Sequence, residues 1–204
     1  MIATTGTDPG ALYRGRRGRT DFVTVPELGY LAVGGHGAPG GEAFTSAIST
    51  VYSVAYAAHF LVKAQYGEAP RVMPLEALFW VDGERPWALV GTDSASWRWQ
   101  VLVMQPDPID ELTVEEAVER SRDKGVEGLE QLKLERWEEG SAAQTLHVGP
   151  YDAEGPTIEA LHTAIQQAGM QPRGRHHEIY LGDPRRSAPE KLRTLLRHPV
   201  EPVD

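Results

Sequence analysis

The chain has 204 residues, a formal net charge of −9 at pH 7 and no cysteine. Its hydrophobic content of 41% and its charged content of 24% are ordinary for a globular protein of one domain or two small ones. The acidic balance argues against a nucleic-acid-binding surface, which requires a basic face, and favours neutral or cationic ligands instead.

The lack of cysteine excludes disulfides, a thiol nucleophile and thiolate metal ligands, and it fits the reducing cytoplasm. The sequence does not open with a charged segment and an apolar run, so no secretion signal is expected. The longest apolar-leaning stretch, Ile48–Val62, is too short and too polar to span a membrane. We therefore expect a cytoplasmic protein with no membrane or nucleic-acid partner.

The first 20 residues are rich in Gly, Thr and Arg and show no hydrophobic periodicity. This composition predicts a flexible N-terminal arm over residues 1–20, which contains the basic cluster Arg14-Gly-Arg-Arg-Gly-Arg. An arm that binds a phosphate or a partner is the alternative. Residues 21–204 are predicted to form a single domain.

The first half of the domain predicts one long helix among extended segments. Phe22–Val25 and Tyr30–Val33 are predicted as two extended pieces that are separated at Pro26. Between Glu42 and Ala64 apolar residues recur at spacings of three and four on two faces, which predicts a helix packed on both sides. Further extended segments are predicted at Met73–Trp80, Trp87–Val90 and Ser96–Gln105.

The second half predicts the same kinds of element in a similar order. Thr113 is a good N-cap for a helix that runs to about Lys124. The remaining predictions are strands at Leu129–Glu138 and Ala142–Val148, a helix at Thr157–Ala168, a strand at His176–Leu181 and a short helix at Pro189–Leu196.

This element order contains the unit strand–helix–strand–strand roughly twice. We therefore predict an α+β fold of two tandem modules, at about residues 21–110 and 111–200, related by pseudo-twofold symmetry. Side by side, the modules would form a curved antiparallel sheet with helices on one side. A central ligand cleft is expected at the pseudo-twofold axis, because pockets between repeated halves are common sites for small ligands.

The strand at His176–Leu181 supplies the most informative side chains. Successive residues of a strand point to opposite faces, so His176, Glu178 and Tyr180 share one face. Glu is rarely buried without a partner, which makes Glu178 either the polar centre of a pocket or the partner of a nearby Arg. Tandem histidines suggest a metal site, but neighbours in a strand point apart, and we expect no metal and no cofactor.

Aromatic residues are concentrated in the first half of the chain. Large flat rings bind planar ligands and attract cations, although each ring taken singly is more often part of a core. Tyr52 lies mid-helix among small residues, which leaves space beside it. The predicted ligand-binding residues are Tyr52, Trp80, Trp97, Met104, Tyr151, His176, Glu178 and Tyr180, of which Glu178, Tyr52 and Tyr180 are the catalytic candidates.

Four segments in the last third of the chain carry a resemblance to a known family. They are His147-Val-Gly-Pro-Tyr-Asp, Gly174-Arg-His-His-Glu-Ile-Tyr-Leu-Gly-Asp-Pro-Arg-Arg, Pro189-Glu-Lys-Leu-Arg-Thr and Pro199-Val. In order and spacing they resemble the GyrI-like small-molecule-binding domain superfamily, in particular its stand-alone branch. The resemblance implies two strand–helix–strand–strand modules around an aromatic cleft with Glu178 at its centre.

The resemblance also implies three kinds of function. Members of the superfamily serve as multidrug-sensing domains of transcription activators, as a gyrase inhibitor, and as hydrolases that open the cyclopropane of cyclopropyl-pyrroloindole toxins. The arm before Asp21 is too short for a helix-turn-helix, so an activator is not expected. Our leading hypothesis is the hydrolase, with Glu178 activating water. The alternatives are a protein that binds aromatic or cationic molecules without chemistry and a gyrase- or partner-binding protein.

Overall fold

The computed structural model describes residues 9–83, 85, 87–89 and 91–203. In this part of the chain the α-helices are α1 Pro9–Leu12, α2 Glu42–Tyr66, α3 Glu111–Asp123 and α4 Gly155–Gln167. The strands are β1 Asp21–His36, β2 Leu75–Trp80, β3 Arg98–Met104, β4 Lys133–Val148, β5 Met170–Pro172, β6 His176–Tyr180 and β7 Arg193–Pro202.

The strands form one antiparallel sheet in the order β4-β1-β3-β2-β6-β7-β5, and β4 also pairs with β7. The six strands from β4 to β7 in this order therefore form a closed sheet, and β5 extends it at β7. The closure depends on β4, which pairs with β1 over residues 133–144 and with β7 over residues 142–148. Shortly before the β7 pairing begins lies Gly140, whose φ of +71° is accessible to glycine at little cost. The sheet thus has an enclosed inner face and an outer face.

The helices α2 and α4 cover two separate parts of the outer face. Helix α2 packs on β1 and β3, and α4 packs on β4 and β5. Phe44 of α2 stacks on Phe79 of β2, and Leu161 of α4 belongs to a buried cluster with Leu196 of β7. The central strands β2 and β6 lie between the two helices. The predicted α+β class, with helices on an antiparallel sheet, is confirmed.

The predicted helix at Pro189–Leu196 is wrong. A short 3-10 turn, Pro189–Lys191, is followed directly by the strand β7. Leu192, Leu195 and Leu196 have helical spacing, but Leu195 is buried on the inner face and Leu196 on the outer face. A strand covered on both faces does not alternate between apolar and polar residues, so periodicity cannot distinguish it from a helix.

Two other predicted breaks are not breaks in the structure. Residues 133–148 form the single strand β4 rather than two strands, and β1 runs through Pro26. At Pro26 the strand β1 pairs only with β4, because its pairing with β3 starts at Tyr30. A residue without an N–H is tolerated where a strand has a neighbour on one side only. Residues 87–89 form no strand, and Val90 lies outside the described residues.

The predicted flexible arm is only partly within the described residues, which begin at residue 9. Leu12 and Tyr13 are buried, and the Tyr13 hydroxyl donates a 2.5 Å hydrogen bond to Oε1 of Glu76. The Leu12 carbonyl accepts a 2.6 Å hydrogen bond from Nη2 of Arg197. The expectation of flexibility is therefore wrong for Leu12 and Tyr13. These two side chains are apolar, but they directly precede the basic cluster, whose composition dominated the prediction for this segment.

None of the helices in the described part of the chain combines the length and apolar character needed to cross a bilayer.

Candidate functional site

Glu178 lies at the centre of the outer face, between the two helices. In the strand register it lies beside Ala77 of β2 and Leu196 of β7. Glu178 is buried to the extent that only 9% of the residue is exposed. Glu178 is therefore a buried carboxyl group on a strand that has a neighbour on each side, β2 and β7.

Both oxygens of Glu178 accept hydrogen bonds from its neighbours on the same face of β6. The Tyr180 hydroxyl donates to Oε2 over 2.8 Å, and Nε2 of His176 lies 3.2 Å from Oε1. Burial, followed by the negative charge of Glu178, raises the pKa of Tyr180 well above its ordinary value. Tyr180 is therefore a neutral donor that holds the carboxylate in place.

A second carboxyl group, Glu154, is close enough to Glu178 for the two to interact electrostatically. Glu154 immediately precedes α4 and is 4% exposed. Burial, followed by the negative charge of Glu178, raises the pKa of Glu154 to about 9. Glu154 is therefore protonated at neutral pH and is a hydrogen-bond donor in the site.

Two buried polar atoms near this pair lack a hydrogen-bond partner within the described residues. They are Oε1 of Glu154 and the hydroxyl of Thr194, which lies beside Tyr180 in the register of β6 and β7. Buried polar groups in native proteins are almost always satisfied by protein, water or ligand. The Thr194 hydroxyl lies close enough to Glu154 to lower the pKa of this carboxyl, so the two groups face each other in the site.

Tyrosines form the wall of the site at the Tyr180 end. The rings of Tyr151 and Tyr180 are 5.5 Å apart with an interplanar angle of 81°. Tyr151 is 39% exposed and therefore lies at the rim. Tyr52 of α2 interacts with the backbone of Leu75, which is the strand partner of Tyr180. Tyr52, Tyr151 and Tyr180 therefore lie towards the same end of this face.

Trp97 lies at the other end of the same face. Its ring is 5.9 Å from that of Phe79, which is the strand partner of His176. The indole N–H donates a 2.8 Å hydrogen bond to the hydroxyl of Thr92. Glu178 therefore lies between an end lined by tyrosines and an end lined by Phe79 and Trp97.

Trp80 and Met104 do not belong to this site, and their predicted role as ligand walls is wrong. Trp80 lies one residue beyond Phe79 on β2, so it points to the opposite face, where the Arg175 guanidinium lies 3.9 Å from its ring centroid. Met104 pairs with Tyr30 on the inner face and is 1% exposed. The sequence gives the alternation along each strand, but it does not say which of the two faces carries the ligand.

The inner face behind Glu178 carries a buried ionic network instead of a purely apolar core. The two ring nitrogens of His177 lie 2.9 Å from Glu76 and 2.9 Å from Glu139, and Nη1 of Arg197 lies 3.0 Å from Glu139. Burial alone would lower the pKa of His177, but Glu139 and Glu76 raise it to about 9. The two adjacent histidines therefore lie on opposite faces of the sheet: His176 contacts Glu178 on the outer face, and His177 belongs to the ionic network on the inner face.

Two cavities open elsewhere on the surface, and Glu178 lines neither of them. One of about 520 Å³ is bordered by Trp137 and Arg175, and one of about 530 Å³ by Trp87 and Arg173. At Glu178 the Tyr180 hydroxyl contacts the carboxylate, and the partly exposed Tyr151 ring packs edge-on against Tyr180.

The model of the GyrI-like small molecule binding domain matches residues 101–201. An uncharacterized conserved protein from Listeria innocua is 33% identical and superposes with a TM-score of 0.85, with 94% of this chain and 96% of that chain covered. A hydrolase from the same organism is 32% identical with a TM-score of 0.82, over 94% of this chain and 96% of that one. The chain belongs to the GyrI-like small-molecule-binding domain family. No curated protein matches it.

The C-terminal domain of EcmrR shares the fold of this GyrI-like chain at 14% identity, with a TM-score of 0.55 over 91% of this chain and 98% of that domain. The family match at residues 101–201 includes Glu154, Glu178 and Tyr180. Tyr52 and Trp97 lie outside this range and reach the site through the pairing of β2 with β6.

Sequence reasoning missed three residues around Glu178, namely Glu154, His162 and His198. Glu154 follows the Gly-Pro-Tyr segment that the resemblance identifies, so its position offered a signal. His162 and His198 are 36 residues apart, and only the packing of α4 on β7 brings their rings within 4.7 Å. Within the described ranges no group of three or more His, Cys, Asp or Glu has the arrangement of a metal site.

Proposed function

We propose that this GyrI-like protein hydrolyses strained, planar aromatic electrophiles of the cyclopropyl-pyrroloindole type, with Glu178 as the general base. The observation that carries the proposal is the pair of buried carboxyl groups: Glu178, which is held by Tyr180 and His176, and Glu154, whose pKa is raised to about 9. Hydrolytic ring opening needs a base and an acid at the same pH, and in this proposal Glu178 is the base and the protonated Glu154 is the acid.

In this reaction Glu178 removes a proton from water, and the water oxygen attacks the methylene carbon of the cyclopropane. The carbon–carbon bond breaks, and its electron pair moves into the conjugated dienone. The dienone oxygen takes a proton from Glu154 and becomes a phenol. The sum is the addition of one water, and proton exchange with solvent returns both carboxyl groups to their starting states.

The tyrosines divide into two roles in this proposal. Tyr180 donates its hydroxyl to Glu178 and therefore orients the base. Tyr52 has a pKa raised by burial, so it is a neutral donor available to the substrate carbonyl. Tyr52, Tyr151 and Trp97 supply flat surfaces for a planar ligand.

Two solved structures from Listeria innocua, each 32% identical to this chain, are described as hydrolases. Each is covered by this chain over 96% of its length. The 32% identity to these two chains, against 14% to the EcmrR domain, supports a hydrolase more than a regulator.

Binding without chemistry is the second candidate function. It is favoured by the clustering of Tyr151 and Tyr180 around a negative carboxylate, since aromatic faces and a counter-charge together bind organic cations. A binding protein needs neither the proton of Glu154 nor a donor at Tyr52. Glu154→Gln and Tyr52→Phe would therefore leave its ligand affinity nearly unchanged, whereas a hydrolase would lose rate.

The deciding experiment is a mass-spectrometric time course of a cyclopropyl-pyrroloindole toxin with the purified protein. We expect the wild type to add one water to the toxin, Glu178→Gln to be inactive, and Glu159→Gln on the exposed face of α4 to match the wild type. Unchanged toxin that raises the melting temperature would establish the binding function instead. Unchanged toxin with no thermal stabilisation would refute both.

A further inference from the structure

The inner face of the closed sheet is filled at one end and open at the other. Along β2 the residues on this face are Glu76, Leu78 and Trp80, in that order. Glu76 accepts the hydrogen bond of the buried Tyr13, so the N-terminal segment fills the Glu76 end. Leu78 borders the cavity of about 520 Å³, a volume within the range of small-molecule sites. This cavity lies on the opposite face of the sheet from Glu178.

Part of the cavity wall is apolar. Trp137 of β4, Leu78 of β2 and Pro199 of β7 border it. The Trp137 ring is held in place by stacking on Tyr30, with ring centroids 5.0 Å apart and an interplanar angle of 19°. Trp137 is only partly buried, so some of its ring surface remains uncovered. A rigid indole of this kind provides contact area for a planar ligand at little cost in conformational entropy.

Arg173, in the turn between β5 and β6, places a held guanidinium at the same cavity. Its Nη2 donates over 2.6 Å to the Glu139 carbonyl, and its Nε donates over 3.3 Å to the Val200 carbonyl. Both acceptors are neutral, so the orientation of the guanidinium is fixed while its charge has no carboxylate partner within the described residues. The two hydrogens of Nη1 are not used by these bonds.

Arg175 places a second held guanidinium there. It lies 3.9 Å from the centroid of the Trp80 ring, and its Nη1 donates over 3.2 Å to Oε1 of Gln100. Nε2 of Gln100 in turn donates over 2.8 Å to Oε2 of Glu135. The neutral amide therefore bridges the guanidinium and the carboxylate, which attract each other without forming an ion pair. Nε and Nη2 of Arg175 are left for another acceptor.

The formal charge around the cavity is positive, although the chain as a whole carries −9. The border contains three arginines, Arg136, Arg173 and Arg175, and three glutamates, Glu135, Glu138 and Glu139. These six charges balance. The ionic network behind them adds the cations of His177 and Arg197 and the carboxylate of Glu76. One positive charge is left over, which favours a ligand with a single negative charge.

We propose that this cavity is a second ligand site, which binds a planar aromatic carboxylate. The carboxylate accepts hydrogen bonds from Arg173 and Arg175, and the aromatic body lies against Trp137. Guanidinium groups match the planar geometry of a carboxylate, and these two are already held by the protein, so binding requires little further ordering. The site is independent of the proposed hydrolysis at Glu178.

The test uses 2-naphthoate as the probe, titrated into the full chain and followed by isothermal titration calorimetry. We expect a dissociation constant of about 1 mM or lower for a ligand of this size. The neutral analogue 2-naphthamide should bind at least about tenfold more weakly, since it lacks the charge that the guanidiniums recognise. Equal affinity for the acid and the amide, or no binding of the acid at roughly 10 mM, would overturn the proposal.

Arg175→Gln should weaken the binding of 2-naphthoate by about tenfold. Arg185→Gln is the matched control, because Arg185 is exposed, is paired with Asp183 and does not border the cavity. An unchanged dissociation constant in a folded Arg175→Gln variant would overturn the proposal. So would a tenfold change in Glu178→Gln, which would place the ligand on the outer face. If Arg175→Gln does not fold, the comparison of acid and amide on the wild type still decides whether the charge is recognised.

Discussion

Replacing Glu139 by Gln should destabilise the protein strongly, because this carboxylate bridges His177 and Arg197 inside the closed sheet. Burial alone would raise the pKa of Glu139, but His177 and Arg197 lower it from 4.5 to about 2. A pKa difference of this size corresponds to about 3 kcal/mol in the free energy of unfolding. Breaking a buried ion pair from one side costs about 3–5 kcal/mol, since the partner charge stays buried.

The sign of the pH dependence follows from the lowered pKa. The stabilisation by Glu139 is complete above its unfolded value of 4.5 and is lost as the pH falls towards about 2. Urea unfolding followed by circular dichroism at pH 7 and between pH 5 and pH 3 measures both effects. We expect Glu139→Gln to lose about 3 kcal/mol at pH 7 and to depend less on pH in the acid range.

Glu138→Gln is the matched control, because Glu138 is the exposed neighbour of Glu139 on β4. It should change the free energy of unfolding by less than about 0.5 kcal/mol. Equal stability of the Glu139→Gln and Glu138→Gln variants would show that the ionic network contributes no net stabilisation, and the reasoning would be refuted.

Three further predictions concern the same two faces. The pKa of His177 is raised to about 9, so its contribution to the free energy of unfolding is complete below pH 6.5 and should be lost as the pH rises through 9. Urea unfolding between pH 7 and pH 10 measures this loss, and a constant free energy of unfolding over that range would contradict a charged His177. Because the pKa of Glu154 is about 9, hydrolysis should slow above that pH as the acid loses its proton, and a kcat–pH profile without an alkaline limb would remove Glu154 from the mechanism. Tyr13→Phe removes the hydroxyl that donates to Glu76 and should lower the free energy of unfolding by about 1–3 kcal/mol, measured by thermal or urea unfolding. A decrease of only about 0.3 kcal/mol would show that this hydrogen bond contributes little.

The sequence predicted the elements whose pattern is local. Helix α2 was expected at residues 42–64 and occupies Glu42–Tyr66, where apolar spacing and Gly67 define it. The division of β6 into a Glu178 face and a His177 face also followed from strand alternation alone. The resemblance to the GyrI-like family, which was based on the last third of the chain, is confirmed.

The features that the sequence did not reveal depend on pairing between distant strands. Trp80 and Met104 could be assigned to the ligand site only by knowing which face of β2 and β3 lies under the helices. β7 was predicted as a helix because its leucines are buried on both faces. His198 could be connected with Glu178 only through the register of β6 and β7. In each case the missing information was a long-range contact rather than a local preference.

The hydrogen bond from Arg197 to the Leu12 carbonyl joins positions that are 185 residues apart in sequence. The segment around Leu12 is synthesised before β7, so this hydrogen bond can form only once β7 has been made. Contacts of such long sequence separation slow folding, because the closing of the intervening chain must precede them. The hydrogen bond between Leu12 and Arg197 therefore implies that the interior of the closed sheet is completed late in folding, after β7 has been added.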